Sequence, residues 1–374
     1  MKRFFKYIWK WLVILVLTYT IISVISSFIP PKFFWGLYFL SYSVPFVVGI
    51  NLCMFLFYFL FKKHFWLIAL STAVAFFGVS NNWSWKSDAN DGTANYSVLT
   101  YNVRLFDLYN WLEGQHWDVW KPRTDNGATL DSLYSTITGA DADFICFQEF
   151  YNQKKGDYET AKHFKDHGYK YAHIAYSFGQ GVNQYGIATF SKYPIVHKEV
   201  KYFKGNKLRS GPQITDVKIT GDTLRIINVH LQSFKLGKSD YEYLNSLSDS
   251  SLKKIDSKPT KELVKKIKLA FEKRSKQLDQ LLDIIDESPH PVLLCGDFNE
   301  LPNSYLYRAI SNHLTDGFKE VGSGFGATLA GNIPALRIDY TFHSPEIQGV
   351  SHKVIQRKLS DHYPVLFEFK TVGK

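Results

Sequence analysis

The sequence predicts an α/β domain over residues 96–374, joined by a linker at 86–95 to an apolar N-terminal region at 1–85. Long apolar runs fill the N-terminal region, and the run at 33–61 contains no charged residue. The linker is rich in small polar residues, which is typical of a domain boundary. From residue 96 onward, short apolar runs alternate with polar segments of helical periodicity, a pattern that predicts strands and helices of a soluble α/β domain.

The N-terminal region predicts three transmembrane helices over residues 4–29, 33–61 and 65–85. The first two runs exceed the roughly 20 residues that a helix needs to cross a bilayer. Tryptophan and tyrosine residues lie near the ends of the runs, as in the aromatic belts of membrane proteins. The first run is too long for a cleaved signal peptide. The sequence therefore predicts an integral membrane protein.

Charge is distributed unevenly along the chain. Residues 1–85 contain seven of the 44 Lys and Arg residues and none of the 34 Asp and Glu residues, so the net charge of +10 falls to +3 for the remainder. A nearly neutral domain gives no indication of tight nucleic-acid binding. The three cysteines, Cys53, Cys146 and Cys295, lie in apolar runs and are expected to be buried side chains rather than a disulfide framework.

The basic residues of the N-terminal region also predict a topology. Four of them lie at the N-terminal end of the first predicted helix, two lie between the second and third, and one lies between the first and second. Basic residues favour the cytoplasmic side. Three crossings would then place the 96–374 domain on the periplasmic or extracellular side of the plasma (inner) membrane.

Six segments of the α/β domain are predicted as strands and two as helices. The strands are 97–103, 143–149, 187–190, 224–231, 291–295 and 337–342. The helices are 128–138 and 260–287, the second with a clear apolar face. Residues 234–258 form a long polar excursion, which we expect to be either a functional loop at the rim of the site or a disordered insertion.

Acidic, amide and histidine side chains follow the strands at their ends. They are Asn102, Glu149, His230, Asp297 with Asn299, Asp339, and Asp361 with His362. A single polar residue at a strand end is usually a turn or a strand-end hydrogen bond, and Asp339 could simply pair with Arg337. A cluster of carboxylates, however, raises the pKa of each member unless a cation intervenes. Oxygen ligands of this kind suit a hard divalent ion such as Mg²⁺, with Mn²⁺ as an alternative.

In their order along the chain, these segments resemble the endonuclease/exonuclease/phosphatase superfamily, including its deoxyribonuclease I-like and neutral sphingomyelinase-like members. The resemblance covers nearly all of 96–374 and rests on the following motifs: Thr100-Tyr-Asn-Val, Phe147-Gln-Glu, Asn228-Val-His-Leu, Gly296-Asp-Phe-Asn, Arg337-Ile-Asp-Tyr and Ser360-Asp-His-Tyr-Pro. It implies a four-layer sandwich of two packed β-sheets flanked by helices, preceded here by the three transmembrane helices.

The resemblance also implies roles for the polar residues in hydrolysis of a phosphoester. Glu149 would be the main metal ligand, with Asn102 beside it and Asp361 as a further or water-mediated ligand. Asp297 would orient or deprotonate the attacking water, and Asn299 would hold this water or a phosphate oxygen. His362, oriented by Asp339, would contact the scissile phosphate, and His230 would be a second phosphate contact or the proton donor.

Arginine residues could add to the substrate site. Arg123 and Arg209 are candidates for substrate phosphate contacts. The position two residues after Asn102 is Arg104, although it is acidic in some nuclease branches, so roles from those branches do not carry over directly.

Three functions compete at this point. The first is a membrane-anchored nuclease or related phosphodiesterase, and the second is a phospholipid or sphingolipid headgroup phosphodiesterase that gains from anchoring beside its substrate. The third is a non-catalytic membrane-tethered binding protein on the same fold. The third is disfavoured because Glu149, Asp297, Asp339 and His362 are all present. Nothing in the sequence indicates a protein partner.

Overall fold

A computed structural model gives the architecture of the chain. It describes residues 2–61, 65–86, 93–109, 128–178, 182–204, 210–235, 240, 243, 257–330 and 336–372. The chain divides into two compact units, a helical unit of residues 1–83 and 300–312 and a β-sheet unit of residues 84–299 and 313–374. The first division thus falls just before the predicted linker, and the second places the segment after the Gly296-Asp-Phe-Asn motif in the helical unit.

The helical unit contains four apolar helices in its N-terminal part. They are α1 (Lys2–Ser26), α2 (Trp35–Ser41), α3 (Val44–Phe61) and α4 (Phe65–Gly78), followed by a 3₁₀ turn at Ser80–Asn82. Among the residues that the structure describes, only α1 is long and apolar enough by itself to cross a membrane, through Tyr7–Ser26. The next pair, α2 and α3, is bent by 53° at the break between them and gives a second candidate only if both count as one span.

The prediction of three transmembrane helices is therefore not supported. The predicted run 33–61 is broken near Tyr42 and Ser43, where the α2 helix ends. The third run forms a helix of 14 residues, about 21 Å long at 1.5 Å per residue, against a hydrocarbon core of about 30 Å. The topology that assumed three crossings loses its basis.

Side-chain hydrogen bonds connect the segment at 300–312 to the N-terminal part of the helical unit. The buried carboxylate of Glu300 accepts hydrogen bonds from Tyr42 at 2.6 Å and Tyr38 at 3.0 Å. Arg308 of the short helix Tyr305–Ser311 donates to Ser27 Oγ at 2.9 Å. The unit is thus held by specific side-chain contacts as well as by apolar packing. Its one cysteine, Cys53, is exposed, in contrast to the sequence prediction.

Two six-stranded sheets build the β-sheet unit, together with a two-stranded pair, β1 (Ser84–Trp85) with β11 (Ser323–Gly324). The other strands are β2 (Tyr96–Asn102), β3 (Phe144–Gln153), β4 (Tyr171–Phe178), β5 (Asn183–Ser191), β6 (Ile195–Val200), β7 (Gln213–Ile219), β8 (Asp222–His230), β9 (Val292–Asp297), β10 (Thr315–Asp316), β12 (Asp339–His343), β13 (Ile347–Val354) and β14 (Val365–Thr371). The helices of this unit are α5 (Ala128–Gly139), α6 (Thr160–Asp166), α7 (Ser257–Asp286) and α9 (Gly317–Val321). The remaining helix, α8 (Tyr305–Ser311), belongs to the helical unit.

Each large sheet is mixed, with one parallel pair at its centre. The strand orders are β13-β14-β2-β3-β5-β4 and β10-β12-β9-β8-β7-β6, and the parallel pairs are β2 with β3 and β8 with β9. Apolar residues of both sheets form one buried cluster, in which Phe144 and Cys146 of the first sheet join Ile226 and Cys295 of the second. The outer face of the first sheet packs against α5 and α6 through a second cluster. The α/β fold with two packed sheets and helices is confirmed.

Hydrogen bonds of buried side-chain amides connect the two sheets next to the strand ends. Gln148 donates to Asn228 Oδ1 at 2.7 Å, and Asn228 donates in turn to the carbonyls of Phe147 and Ala188. Asn228 is fully buried, so its amide satisfies backbone carbonyls in the interior. Asn228 thus makes structural hydrogen bonds at the strand end.

Candidate active site

The pairing register of three adjacent strands brings their polar ends together. Asp297 at the end of β9 is paired with His230 at the end of β8 and with Asp339 at the start of β12. Gly296 allows this close pairing because its φ is +138° and a Cβ there would lie 2.0 Å from the carbonyl oxygen of Val229. The glycine of the Gly296-Asp-Phe-Asn motif is therefore required by the backbone.

Asp297 is the centre of the cluster. Its Oδ2 accepts from Asn102 Nδ2 at 3.1 Å and lies 3.5 Å from His230 Nε2 and 3.7 Å from His362 Nε2. Its Oδ1 accepts from the backbone N–H of Asn299 at 2.8 Å. Burial, followed by the charge of Asp339, raises the pKa of Asp297 against the opposing charges of the two histidines. A carboxylate with a raised pKa is a stronger base than an exposed aspartate.

His362 and Asp339 form a buried pair. His362 Nδ1 lies 2.9 Å from Asp339 Oδ2 and 3.1 Å from Oδ1, which leaves Nε2 directed towards Asp297. Burial lowers the pKa of His362, but the charges of Asp339 and Asp297 outweigh it and hold the pKa well above its usual range. Arg337 pairs instead with Asp316 at 2.7 Å. Asp339 is thus engaged with His362 and not with the neighbouring arginine.

Thr328 fixes the position of this pair and was missed by sequence reasoning. Its Oγ1 accepts from the backbone N–H of Asp339 at 3.1 Å, and its carbonyl accepts from Tyr363, the residue after His362, at 2.6 Å. Thr328 is fully buried. No sequence signal identifies it, because a lone threonine in a loop has no characteristic pattern.

Glu149 lies with His230 on the more open side of the site, and the buried side chain of Asn102 is beside it. Asn102 Nδ2 donates to Glu149 Oε1 at 3.4 Å, and His230 Nε2 lies 3.9 Å from the same oxygen. Glu149 has a φ of +49°, at an irregularity where β3 shifts register against β5. Such backbone strain in a residue other than glycine is common at functional sites. Asn299 shows the same feature, with a φ of +52°.

Asp361 lies beside Arg104 at the edge of the cluster. Arg104 Nη1 is 3.2 Å from Asp361 Oδ2, and Ser360 Oγ donates to Asp361 Oδ1 at 3.1 Å. The structure thus brings together the predicted residues Asn102, Glu149, His230, Asp297, Asn299, Asp339, Asp361 and His362. Arg123, Arg209 and most of the excursion at 234–258 lie outside the described residues.

Comparison with known proteins gives a family for this arrangement. The sequence profile of the endonuclease/exonuclease/phosphatase family matches residues 99–362, a span that contains all of these residues. A second profile, of a domain of unknown function, matches residues 3–83. No curated protein shows significant similarity to the chain.

Solved structures share the fold at low sequence identity. An endonuclease/exonuclease/phosphatase from Beutenbergia cavernae is 18% identical, with 75% of this chain and 72% of that chain covered and a TM-score of 0.51. One from Bacteroides vulgatus is 16% identical, with coverages of 74% and 98% and a TM-score of 0.51. A family protein from Leptotrichia buccalis is 18% identical, with coverages of 74% and 99% and a TM-score of 0.50.

Proposed function

Because the chain belongs to the endonuclease/exonuclease/phosphatase family, we propose that it is a divalent-metal-dependent phosphodiesterase that cleaves a P–O bond by in-line attack of water. Hydrolysis of phosphoester bonds is the activity of the family. The observation that carries the proposal for this chain is the buried His362–Asp339 pair with Asp297 3.7 Å from His362 Nε2. A sheet has no structural need to bury two carboxylates and a histidine at one set of strand ends.

Asp297 is proposed to orient the attacking water and accept its proton. Its pKa is raised by burial, and its position is fixed by hydrogen bonds from Asn102 and the Asn299 backbone. A pre-oriented base avoids the entropic cost of arranging the water during the reaction. Asn299 is proposed to hold the same water or a phosphate oxygen.

His362 is proposed to donate from Nε2 to a phosphoryl oxygen, since Nδ1 is engaged by Asp339. Its raised pKa keeps the imidazole protonated at neutral pH, so it offers a positive charge where negative charge develops. His230, 3.9 Å from Glu149 and 3.5 Å from Asp297, would be a second phosphate contact or the proton donor to the leaving group.

The residues around Glu149 fit a divalent metal ion. Glu149 offers a partly exposed carboxylate at a strained backbone position, and carboxylate oxygens are the ligands that Mg²⁺ and Mn²⁺ prefer. Asn102 is beside it, and Asp361 lies at the edge of the cluster. Asp297, Asp339 and His362 also offer ligand atoms within 4.8 Å of one another, but the His362–Asp339 hydrogen bond favours acid–base work. A bound ion would neutralise charge on the phosphoryl oxygens and the leaving group.

The substrate class is proposed to be a phosphodiester, either nucleic acid or a phospholipid headgroup. The lipid alternative draws support from α1, since an enzyme anchored beside a lipid gains effective concentration. The nuclease alternative fits the nuclease-like motifs. The net charge of residues 86–374 is only +3, however, which does not favour tight binding of a polyanion.

Assays of the full chain in detergent test the activity. We expect Mg²⁺-dependent hydrolysis of bis(p-nitrophenyl) phosphate that EDTA abolishes. His362→Gln should lower the rate at least about a hundredfold, whereas His197→Gln, a control at an exposed histidine, should not. DNA, RNA, sphingomyelin and inositol phosphates then identify the substrate. Hydrolysis that is unaffected by EDTA would contradict the metal mechanism.

Anchoring through α1 is proposed in place of three crossings. With one span, the basic residues before Tyr7–Ser26 would hold the N-terminus inside and leave the β-sheet unit outside. With α2 and α3 as a second span, that unit would return to the cytoplasm. Protease treatment of intact spheroplasts distinguishes the two, since an external β-sheet unit is digested before the membrane is permeabilised.

A further inference from the structure

Beginning two residues after Asn102, four successive residues have left-handed backbone conformations. Residues 104–107 have φ values of 42°, 56°, 56° and 56°. This conformation is unfavourable for residues that carry a Cβ, so a run of four needs the surroundings to impose it. The sequence gives no sign of it, because none of the four is glycine.

Two sets of contacts impose this conformation. The ring of Phe106 is fully buried and lies 5.7 Å from Tyr134, 5.7 Å from Phe147 and 5.9 Å from Phe150, measured between ring centroids. The backbone N–H of Arg104 donates to Asn102 Oδ1 at 3.1 Å. The turn is thus anchored on one side in the core and on the other in the site.

Arg104 therefore contacts two of the predicted metal ligands, Asn102 through its backbone and Asp361 through its side chain. Its backbone N–H donates to the side-chain oxygen Oδ1 of Asn102, so the side-chain nitrogen Nδ2 of Asn102 is the atom presented to Glu149. Its guanidinium lies 3.2 Å from Asp361 Oδ2, with the Arg104 side chain only 9% exposed. The other oxygen of Asp361 accepts from Ser360.

We propose that Arg104 is a positioning residue that neutralises Asp361, an inference that rests on the proposed function. As a consequence, the site binds a single divalent ion through Glu149. A guanidinium stays protonated in proteins, so Arg104 keeps its positive charge beside Asp361 at every pH of interest. A divalent cation on Asp361 would face this fixed positive charge at short range, where like charges repel strongly in a poorly solvated site. Glu149, whose side chain is 34% exposed, has the imidazole of His230 at 3.9 Å and meets no guanidinium or ammonium group among the described residues.

Mn²⁺ binding to the full chain in detergent tests this assignment, followed by the EPR signal of free Mn²⁺. The native chain should bind one Mn²⁺. Asp361→Asn should also bind one, with a Kd within about threefold of native, whereas Glu149→Gln should raise the Kd at least about tenfold. This pair is matched, since each variant replaces one carboxylate by its amide.

Variants of Arg104 test whether this residue prevents a second ion from binding at Asp361. Arg104→Met removes the charge at similar volume and should allow a second, weaker Mn²⁺ to bind at Asp361. Arg104→Lys and the double variant Arg104→Met/Asp361→Asn should both return to one Mn²⁺. A folded Arg104→Met variant that still binds one Mn²⁺ would overturn the role of Arg104.

The remaining outcomes separate this proposal from the proposed function. Two Mn²⁺ per native chain, with one lost in Asp361→Asn, would overturn the single-ion assignment and leave the metal-dependent phosphodiesterase intact. No Mn²⁺ bound to the native chain, together with EDTA-resistant hydrolysis, would overturn both. Should Arg104→Met fail to fold by circular dichroism, the comparison of Asp361→Asn with Glu149→Gln still decides.

Discussion

The two sides of the candidate site differ in their access to solvent. On the closed side, the side chains of Asp297, Asp339 and His362 are 1%, 2% and 7% exposed. On the open side, those of Glu149 and His230 are 34% and 30% exposed. The closed side holds its members by short hydrogen bonds, whereas the shortest contact of Glu149 to a neighbouring side chain in the described cluster is 3.4 Å.

This difference separates two kinds of work. Groups that transfer protons or stabilise charge gain from burial and fixed geometry, because the surroundings then need no rearrangement during the reaction. Groups that receive a metal ion or a substrate need an open approach. We infer that the closed side performs acid–base catalysis and that the open side is the entrance for the ion and the phosphate.

The largest effect is expected on the closed side. Asp297→Asn and His362→Gln should each lower kcat by about 10²–10⁴-fold, the usual range for lost acid–base or electrostatic groups. Steady-state kinetics with bis(p-nitrophenyl) phosphate measures this loss, with circular dichroism to confirm folding. His197→Gln, at an exposed histidine of β6, should leave kcat unchanged. A folded Asp297→Asn variant with native kcat would rule out Asp297 as the base.

On the open side, the expected effect is on the ion and not on proton transfer. Glu149→Gln should raise the Mg²⁺ concentration for half-maximal activity by about tenfold or more, as losses around a metal site commonly do. Excess Mg²⁺ should recover part of the rate, whereas it should not rescue His362→Gln. If excess Mg²⁺ rescues both variants or neither, the two sides do not divide the work in this way.

A smaller effect is expected when Asp339 is changed, since His362 remains in place. Asp339 is the main cause of the raised pKa of His362, and burial alone lowers it. Asp339→Asn should therefore lower the pKa of His362 and reduce kcat by about tenfold to a hundredfold at neutral pH. NMR titration of the His362 imidazole in EDTA-treated protein measures the pKa directly. An unchanged titration midpoint would show that Asp339 does not set the charge of His362.

Much of this comparison could be predicted from the sequence, because apolar runs of strand length that end in a polar residue place that residue at a sheet edge. The predicted strands at 97–103, 143–149 and 224–231 match β2, β3 and β8 closely. Strands β6 and β13 gave no such signal, since β6 has no buried residue and β13 mixes buried residues with partly and fully exposed ones. Their pairing depends on neighbours distant in sequence.

Other features depend on backbone conformation that residue type does not reveal. The left-handed turn after Asn102 and the φ of +49° at Glu149 arise at residues that usually avoid this region. The break between α2 and α3 falls at Ser41-Tyr-Ser-Val-Pro, inside a run without charged residues. Hydropathy alone predicted one long helix there, although the proline is a signal for a helix start.

The last prediction concerns buried histidines that lack the carboxylate pair of the closed side, and it affects stability and not catalysis. Burial lowers the pKa of His352 to about 4, and likewise that of His173, where nearby Lys198 and His197 add to the effect. Both are neutral above pH 6.5 in the folded and unfolded chain. As pH falls from 6.5 to 4, the unfolded chain binds protons that the folded chain does not, so stability is lost over that window, by at most on the order of 3 kcal/mol per histidine. His352→Gln should therefore reduce the drop in Tm between pH 7.5 and pH 5 relative to the native chain. An unchanged drop would show that His352 is not held neutral by its surroundings.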